Sequence, residues 1–523
     1  MLDSDKGTGA DARNPPSENG TIRLHGRDNV VVLARAFGAK TCPLGEGEAL
    51  TRLVPAGHKI AAAPIAKGDP VIKFGQIIGN ASADIAVGHH VHTHNCGMGD
   101  HDRAYSIGED FTPVALTPEA QRPTFLGYRR ADGTVGTRNM IALCATVNCS
   151  ATVVRHIANR VNQSGLLDAY PNVDGVVALA HGTGCGLAID GDGYDALQRV
   201  LWGHATHANV GAAIFVGLGC EVMQITAMKK MFGDAGTDRF HGLTIQETGG
   251  TRKTIEAGVA RIVELLPEVN AISREPVPVS ELIVALQCGG SDGFSGITAN
   301  PALGAATDLL VRYGGTGILA ETPEIYGAEQ LLVRRAASTA VGEKLLERIR
   351  WWEDYTAING GTMDNNPSPG NKAGGLTTIL EKSLGAAAKG GTLALHDVLL
   401  YAEKAKTRGF LFMDSPGYDP ASVTGQIASG AQVVVFTTGR GSAFGSKPAP
   451  TIKLATNSSM YRALEDDMDM DCGDIVERGV SIEEKGAAIL DKIIAVASGE
   501  HSKSEALGLG DNEFVPWQIG AVM

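Results

Sequence analysis

Four apolar runs in this chain each end in a cysteine beside small residues, and thiolates act as soft-metal ligands and as nucleophiles. The runs are Met140–Cys149, Val176–Cys185, Ala212–Cys220 and Leu282–Cys288. A short apolar run with β-branched residues, closed by Gly or Asn, predicts a buried strand that leads into a tight turn. Cys149, Cys185 and Cys220 follow one another at intervals of about 35 residues, roughly the length of one βα unit.

The ends of successive strands in a parallel sheet lie along one edge, where ligands bind. The spacing therefore predicts that Cys149, Cys185 and Cys220 converge, and Cys288 could join them. A convergent set would form a metal centre or supply a nucleophile. The alternative is plain burial, because cysteine is among the most frequently buried residue types.

The densest histidine cluster is His89-His-Val-His-Thr-His94. On a strand, His90, His92 and His94 would share one face, because side chains alternate with a period of two. Neutral imidazoles on one face could bind a divalent metal or transfer protons. The alternative is an exposed polar strand edge.

A glycine-rich stretch, Cys288–Pro301, follows a predicted strand and precedes a helical pattern. Its backbone N–H groups and the hydroxyls of Ser291, Ser295 and Thr298 could bind an anion at a helix N-terminus. Asp292 adds a carboxylate to the same loop. Ser291, Asp292 and Ser295 are therefore candidate substrate-binding residues.

Three other segments offer charged groups at the ends of predicted elements. Lys372, in the loop Asn366–Gly375, could bind a carboxylate or act as a base if burial lowered its pKa, although an exposed lysine on a proline-stiffened loop is the alternative. Asn371 of the same loop is a further candidate substrate ligand. Arg440 follows an apolar run and suits bidentate carboxylate recognition. Glu321-Thr-Pro-Glu324 offers two carboxylates at a strand end.

The composition is that of an ordinary globular protein, with 523 residues of which 43% are apolar and 20% charged. This length exceeds one hydrophobic core and predicts two to four domains. Aromatic residues at 5% and a net charge of −13 argue against nucleic acid as a partner. The polar N-terminus and the lack of a long apolar run argue against a signal peptide and a membrane span, so we expect a cytoplasmic protein with reduced thiols.

Short alternating apolar stretches near the N-terminus, followed by alternating strand and helix patterns, predict a multidomain α/β protein with a small N-terminal all-β module. We predict a disordered tail over 1–19, the β module over 20–97 and a linker over 98–124. A middle α/β domain with the cysteine-terminated strands follows over 125–275, and a C-terminal Rossmann-like parallel-sheet domain over 276–523. Neither a GxxxxGK[ST] phosphate loop nor a GxGxxG dinucleotide fingerprint follows a predicted strand.

Together these stretches resemble the altronate and galactarate dehydratase family of bacterial sugar-acid catabolism, from about Thr21 to the C-terminus. The most specific matches are Leu286–Pro301, Asn366–Gly375, Thr437–Gly441, Gly217–Glu221 and Tyr128–Asn139. The resemblance implies an N-terminal β-clip (SAF-like) module, a long linker, a middle domain that could form a homodimer, and a C-terminal Rossmann-like domain.

The resemblance also implies an iron-requiring hydro-lyase that converts a sugar acid to a 2-keto-3-deoxy acid. The 88–95 stretch and Ala328–Leu332 are closer to the altronate branch, whereas Gln246–Thr251 departs from it, so the substrate stays open between an aldonate and an aldarate. Related sulfolactate sulfo-lyases divide the β module and the large part between two subunits. Fusion of the two parts in one chain favours a sugar acid here.

We expect Cys149, Cys185, Cys220 and Cys288 to hold iron, either as an iron–sulfur cluster with one open position or as a thiolate-rich mononuclear site. The competing hypothesis is iron(II) held by histidines and carboxylates, with the cysteines merely nearby.

For the chemistry, we expect Arg440 and the Ser291–Ser295 loop to bind the substrate carboxylate, and His92, His94 or Lys372 to transfer the proton. A nucleotide-dependent oxidoreductase and a non-catalytic sugar-acid sensor are the alternative functions.

Overall fold

The computed structural model describes residues 17, 19–99, 105–232 and 240–520, and its first part is a small all-β module. Short apolar runs broken by Gly, Asp and Pro favour short strands and tight turns here. The module folds into two antiparallel sheets, ordered β1-β2-β3-β6 and β4-β5-β7. Its strands are β1 (Thr21–Ile22), β2 (Val30–Leu33), β3 (Lys59–Ala61), β4 (Pro70–Lys73), β5 (Gln76–Ala81), β6 (His90–Val91) and β7 (Cys96–Gly97). The tail predicted over 1–19 lies almost entirely outside the described residues.

The middle of the chain contains a four-stranded parallel sheet, ordered β11-β10-β12-β13, and a small antiparallel sheet, ordered β14-β8-β9. The elements are β8 (Thr124–Arg129), β9 (Val135–Gly136), β10 (Met140–Ala145), α1 (Asn148–Asn162), β11 (Gly175–Leu179), α2 (Asp192–Ala205), β12 (Val210–Gly217), α3 (Ile225–Phe232), β13 (Phe240–Thr244), α4 (Ile245–Thr248), α5 (Thr251–Asn270) and β14 (Glu275–Pro278). The three strands predicted to lead to Cys149, Cys185 and Cys220 are β10, β11 and β12, and they are neighbours in the parallel sheet.

The C-terminal part is built on a seven-stranded parallel sheet, ordered β17-β18-β16-β15-β19-β20-β21. Its elements are β15 (Ile283–Cys288), α6 (Ala299–Arg312), β16 (Thr316–Ala320), α7 (Gln330–Val333), α8 (Thr339–Ile358), α9 (Pro369–Ala373), α10 (Ile379–Ala387), β17 (Leu395–Leu399), β18 (Gly409–Met413), α11 (Asp419–Ala428), β19 (Val433–Thr438), β20 (Thr451–Ala455), α12 (Ser458–Ala463), β21 (Met470–Asp471), α13 (Asp474–Glu477), α14 (Ile482–Ala497) and α15 (Lys503–Ala506). Strands β16 to β18 lie on one side of β15, and β19 to β21 on the other. This reversal of strand order opens a crevice at the carboxyl ends of β15 and its neighbours, where open α/β sheets bind ligands.

The two parallel sheets share an apolar core, because α2 of the middle sheet packs against α11 of the large sheet. Phe215 of β12 and Ile318 of β16 both belong to this core. The C-terminal segment lies along the same junction: Phe514 packs against His204, and Trp517 stacks on Trp352. The two parallel sheets and the C-terminal segment therefore share one continuous apolar core.

The β module docks on the large sheet domain through two apolar clusters, one of which joins its own core to Leu384 and Ala387, and through a set of buried polar contacts. Ile22 and Val32 of the module pack with Phe294 and Ile297, which lie just after β15. The segment between the module and β8 is irregular over most of its described length, with one 3₁₀ turn at Glu119–Gln121.

The predicted multidomain α/β class, with an N-terminal β module and a C-terminal parallel sheet, is confirmed, and the individual segment boundaries stay predictions. Among the described residues, no helix combines the length and apolar character needed to cross a membrane.

Candidate active site

Three metal-ligand side chains meet at the carboxyl edge of the large sheet. Cys288 is the last residue of β15, and Glu321 follows β16 directly. A 3₁₀ turn over Thr322–Ile325 then brings Glu324 back toward the same point. One ligand atom from each of Cys288, Glu321 and Glu324 lies within 4.8 Å of the other two, and all three side chains are buried.

Both carboxylate oxygens of Glu321 are buried without a hydrogen-bond partner in the described part of the chain. A buried, unpaired carboxylate is costly, so it is either protonated or compensated by a cation. Glu321 also adopts a left-handed backbone conformation (φ 74°), which is uncommon for a residue other than glycine. Such strain is concentrated at functional sites and points to a role for the position beyond packing.

Two lysines from the α10 region complete this group. The Lys382 ammonium donates to Glu324 Oε1 at 2.5 Å and to Asn366 Oδ1 at 3.0 Å. Lys389 Nζ lies 2.9 Å from Cys288 Sγ. The set Cys288, Glu321, Glu324, Lys382 and Lys389 is called the carboxyl-edge site below.

The surroundings of the carboxyl-edge site shift the pKa values of its two carboxylates in opposite directions. Burial opposes ionisation of Glu324, but Lys382 and Lys389 outweigh it and lower the pKa of Glu324. Burial and the adjacent charge of Glu324 raise the pKa of Glu321 well above its usual range. Burial likewise raises the pKa of Cys288 to about 11, although Lys389 acts in the opposite direction. Without a cation, the site therefore holds one carboxylate firmly ionised and two ligand groups protonated.

The rim of the site carries Asp419, the first residue of α11. Burial, followed by the charge of Glu324, raises the pKa of Asp419 to about 7. A Cβ atom at Gly289 would lie 2.3 Å from Asp419 Oδ2 and 2.6 Å from Phe436 Cζ, so a side chain there would force both neighbours to move. Asp419 is therefore a third carboxyl group beside the crevice, next to Glu321 and Glu324.

The predicted substrate-binding residues of the 288–301 loop have different surroundings. The Asp292 carboxylate accepts hydrogen bonds from Ser295, Thr456 and Asn457, so it holds the loop together. The Ser291 hydroxyl is buried without a partner among the described residues, which leaves it available to a ligand.

Asn371 and Arg440 lie next to this loop. Asn371 donates from Nδ2 to the carbonyl of Ser291 at 2.9 Å. The Arg440 side chain is exposed, while its backbone N–H donates to Gly290. The structure therefore brings Ser291, Asp292, Ser295, Asn371 and Arg440 to one region, at the carboxyl ends of β15 and β19.

The predicted histidine cluster lies on the β module and contacts the 366–375 loop. The expected strand through all three histidines is wrong: β6 ends at Val91, and His92 and His94 lie in the turn that follows, which still brings their rings next to His90. His92 Nε2 donates to the carbonyl of Lys372 at 2.8 Å, and His58 Nε2 donates to that of Ala373 at 3.2 Å. His90 Nε2 lies 3.1 Å from His58 Nδ1. His94 is the outer member, with its ring 5.5 Å from that of His90. Burial lowers the pKa of all four, so these rings are neutral at pH 7.

This histidine contact is expected to weaken in acid. Burial lowers the pKa of His58 to about 4, whereas an exposed histidine has a pKa of about 6.5. The unfolded chain therefore binds more protons between these values, and the stabilisation present above pH 6.5 is lost as the pH falls toward 4. The protection factors of the 366–375 loop amides, which correct for the intrinsic slowing of exchange in acid, should fall over this range in the wild type and change less in H58Q. An equal fall in both proteins would contradict the assignment to His58.

Cys149, Cys185 and Cys220 lie elsewhere, as exposed residues at the carboxyl edge of the four-stranded sheet. Cys149 is in the first turn of α1, and Cys185 and Cys220 are on loops. Cys288 ends a strand of the other sheet and meets two carboxylates instead. The described residues therefore do not gather the four cysteines as one set of ligands for a single ion. The proposed iron ligation by Cys149, Cys185 and Cys220 stays a prediction.

Sequence reasoning missed Lys382, Lys389 and Asn366. The lysines lie in an amphipathic helical stretch, where a lysine ordinarily indicates a solvated face. Asn366 was visible only as part of a proline-containing loop. The available signal was the pair Glu321 and Glu324, since two buried carboxylates at a strand end require cationic partners.

A β module docked on a parallel sheet, with carboxylates, a thiol and two lysines buried at the sheet's carboxyl edge, defines a multidomain α/β protein whose candidate active site has acid–base and metal-ligand groups. Three family models cover almost the whole chain: the altronate/galactarate dehydratase SAF domain (residues 19–99), the D-galactarate dehydratase/altronate hydrolase second domain (127–270), and the D-galactarate/altronate dehydratase C-terminal domain (279–522). The chain belongs to the altronate/galactarate dehydratase family.

Individual relatives agree with this assignment. Altronate dehydratase of Bacillus subtilis is 36% identical over 92% of this chain and 97% of its own length. Galactarate dehydratase (L-threo-forming) of Escherichia coli is 36% identical over 92% of this chain and 93% of its own length. The (2R)-sulfolactate sulfo-lyase subunit beta of Chromohalobacter salexigens is more distant, at 33% identity over 76% of this chain and 98% of its own length.

Proposed function

We propose that this protein dehydrates a sugar acid, an altronate-type aldonate or a galactarate-type aldarate, to a 2-keto-3-deoxy acid. The observation that carries the proposal is the carboxyl-edge site, where two buried carboxylates and a thiol face two buried lysines in a member of this family. We propose that the enzyme is cytoplasmic and acts as a homodimer. Light scattering of the purified protein would test the homodimer.

The reaction sets two requirements. A proton must leave the carbon next to the substrate carboxylate, and hydroxide, a poor leaving group, must leave the next carbon. A positioned base typically contributes 10²–10⁴-fold, which falls short of an enzymatic acceleration of at least about 10⁶-fold. A second source of transition-state stabilisation is needed at the leaving oxygen.

The carboxyl-edge site fits a divalent metal, and we propose iron. Cys288, Glu321 and Glu324 would hold it, and the two oxygens of Glu321, which have no hydrogen-bond partner among the described residues, would serve as ligand atoms. A metal there would act as a Lewis acid on the leaving hydroxyl, which is worth several kcal/mol of charge stabilisation.

The lysines and the neighbouring loop would bind the acid. Lys382 holds Glu324 ionised and Lys389 contacts Cys288, so both supply positive charge where an enolate-like carboxylate develops. The unpaired Ser291 hydroxyl, Asn371 and the exposed Arg440 would orient the substrate carboxylate from the side of β19. This arrangement would place the carbon that loses its proton between the two lysines on one side and the group of Ser291, Asn371 and Arg440 on the other.

Proton transfer is assigned to His92, His94 or Lys372. Because His92 Nε2 already donates to the Lys372 carbonyl, this histidine also positions the 366–375 loop. Replacing the true base is expected to lower kcat by about 10²–10⁴-fold. H92Q, H94Q and K372M should be assayed beside H156Q, a matched change at an exposed histidine. If all three retain wild-type turnover, the assignment is wrong.

The function itself is tested with iron-loaded protein kept under anaerobic conditions. A panel of aldonic and aldaric acids is incubated with the protein, and 2-keto-3-deoxy products are detected by their reaction with semicarbazide. Formation of such a product from at least one acid supports dehydration. Release of sulfite from sulfolactate, with no product from any sugar acid, would overturn it in favour of a sulfo-lyase.

A further inference from the structure

We propose that the protein has a second ligand site, which lies at the amino edge of the large sheet and binds a small organic acid with an apolar body. The site is a cavity of about 410 Å³. Its floor is formed where strands of the sheet begin: Ser280 lies just before β15, Gly315 precedes β16, and Gly409 is the first residue of β18. The carboxyl-edge site lies at the opposite ends of β15 and β16, so the two sites are separate.

One wall of the cavity comes from the irregular segment that precedes β8. Phe111, Val114 and Leu116 of this segment line the cavity, and Val311 of α6 lines it from the sheet domain. Phe111 and Leu116 remain 39% and 56% exposed, so these two side chains are not packed into a core. A volume of about 300–1,000 Å³ and mostly apolar walls with a few polar groups are typical of sites for small molecules.

Arg122 supplies positive charge and spare hydrogen-bond donors at the cavity. Its Nε donates to the carbonyl of Thr117 at 2.7 Å, which holds the side chain. Within the described part of the chain, its two terminal nitrogens donate to no other residue. A Cβ atom at Gly314 would lie 3.1 Å from Arg122 Nη1, so the guanidinium lies against the glycine turn of the cavity floor. The two terminal nitrogens can therefore bind both oxygens of a carboxylate.

The second arginine at the cavity is already engaged. Arg408 Nη1 donates to the carbonyl of Ser280 at 2.6 Å, and Nη2 lies 3.2 Å from both carboxylate oxygens of Glu281. The carboxylate of Glu281 therefore balances the charge of Arg408. Arg122 remains as the cation for a ligand, which suits a single carboxylate.

His396 adds a polar atom at the same cavity. It lies in β17 at the register shift, and a Cβ atom at Gly409 would lie 2.7 Å from its Nδ1. This Nδ1 atom is buried and has no hydrogen-bond partner among the described residues. Buried polar atoms are nearly always hydrogen-bonded, and an exception calls for an explanation. A polar group of a ligand would provide the bond.

These features select the chemistry of the ligand. One available guanidinium suits one carboxylate, and the apolar wall suits an aromatic or branched hydrocarbon body. A sugar acid carries hydroxyl groups along its chain, and these would lose their hydrogen bonds to water against the apolar wall. The ligand therefore differs in class from the substrate of the proposed dehydration, and the proposal does not rest on that function.

Calorimetric titration of the full-length protein with hydrocinnamate tests the site, with hydrocinnamide as a neutral probe of the same shape. We expect the acid to bind the wild type and the amide to bind about 10–100-fold more weakly, as the loss of one charge-assisted hydrogen bond implies. R122M should weaken binding of the acid to the same extent. V114W should abolish binding, because the larger side chain would fill the cavity.

Two control variants keep the site intact. R350M removes an exposed arginine of α8, and R440M alters the opposite edge of the sheet; both should bind the acid like the wild type. Hydrogen exchange of residues 105–122 in the free R122M and V114W proteins checks that the segment keeps its position. In the wild type, the bound acid should slow exchange of residues 111–122.

Five outcomes would overturn the second site. They are absence of binding to the wild type, equal affinity for acid and amide, unchanged affinity in both R122M and V114W, loss of binding in R440M, and displacement of the acid by gluconate. The last two would place the acid at the carboxyl-edge site. None of the five bears on whether a sugar acid is dehydrated, so failure of this site and failure of the proposed function can be told apart.

Discussion

Glu321→Gln is expected to lower kcat/KM by about 10³-fold without unfolding the protein. Glutamine has nearly the same shape, and neither oxygen of Glu321 has a hydrogen-bond partner among the described residues, so no protein contact is lost. The substitution removes a carboxylate ligand of the proposed metal. Loss of a Lewis acid costs several kcal/mol, and about 4 kcal/mol corresponds to about 10³-fold in rate.

Turnover and metal affinity should be measured together for this variant. E343Q is the matched control, because Glu343 is exposed on α8 and a glutamine there should change neither quantity. Wild-type turnover in E321Q would rule out Glu321 as a ligand. Lost turnover with unchanged metal affinity would assign it another role in the reaction.

Glu381→Gln is expected to destabilise the docking of the β module by about 3–5 kcal/mol, because it leaves buried charges unpaired. Glu381, at the start of α10, accepts from Lys59 at 2.8 Å and from Lys73 at 2.9 Å, and both lysines belong to the module. All three side chains are at most 2% exposed. Lys59 also donates to the carbonyl of Gly375.

Hydrogen exchange of residues 19–99 reports this local opening directly, whereas a melting temperature would average over several domains. K73M is the informative control, because it leaves one lysine paired with one glutamate and should cost much less than E381Q. An E381Q protein with wild-type exchange in the module would contradict the proposed role of the ion pairs. Since Lys382 follows Glu381, slower turnover in E381Q is also expected.

The local pattern of the sequence predicted most elements of the large sheet. The apolar spacing of 482–497 predicts a helix, and α14 has the same ends. The apolar run over 392–396 predicts a strand, but the strand runs from Leu395 to Leu399, and its pairing register shifts beside Asp397. The pattern over 327–350 predicts one helix, whereas the structure has two, α7 and α8, and the hydroxyl of Ser338 caps the second. A serine at this position is itself an N-cap signal in the sequence.

The candidate site was only partly predictable, because its members are joined by tertiary packing. Glu321 and Glu324 were visible as carboxylates at a strand end, but no local pattern indicates that Lys382 and Lys389 reach them. The four cysteine-terminated runs look alike in sequence. Which sheet each strand joins depends on contacts between distant segments, so Cys288 could not be separated from the other three cysteines in advance.

The mixed character of the module's docking surface has a consequence for how such enzymes can be divided between genes. This surface combines the buried ion pairs of Lys59 and Lys73 with Glu381 and an apolar contact of the module's core with Leu384 and Ala387. Exposed charges are hydrated, so a module and a sheet domain made as separate chains would each present hydrated charges on the surface by which they meet. Assembly of two such chains would replace that hydration by the same ion pairs that hold the module in place here.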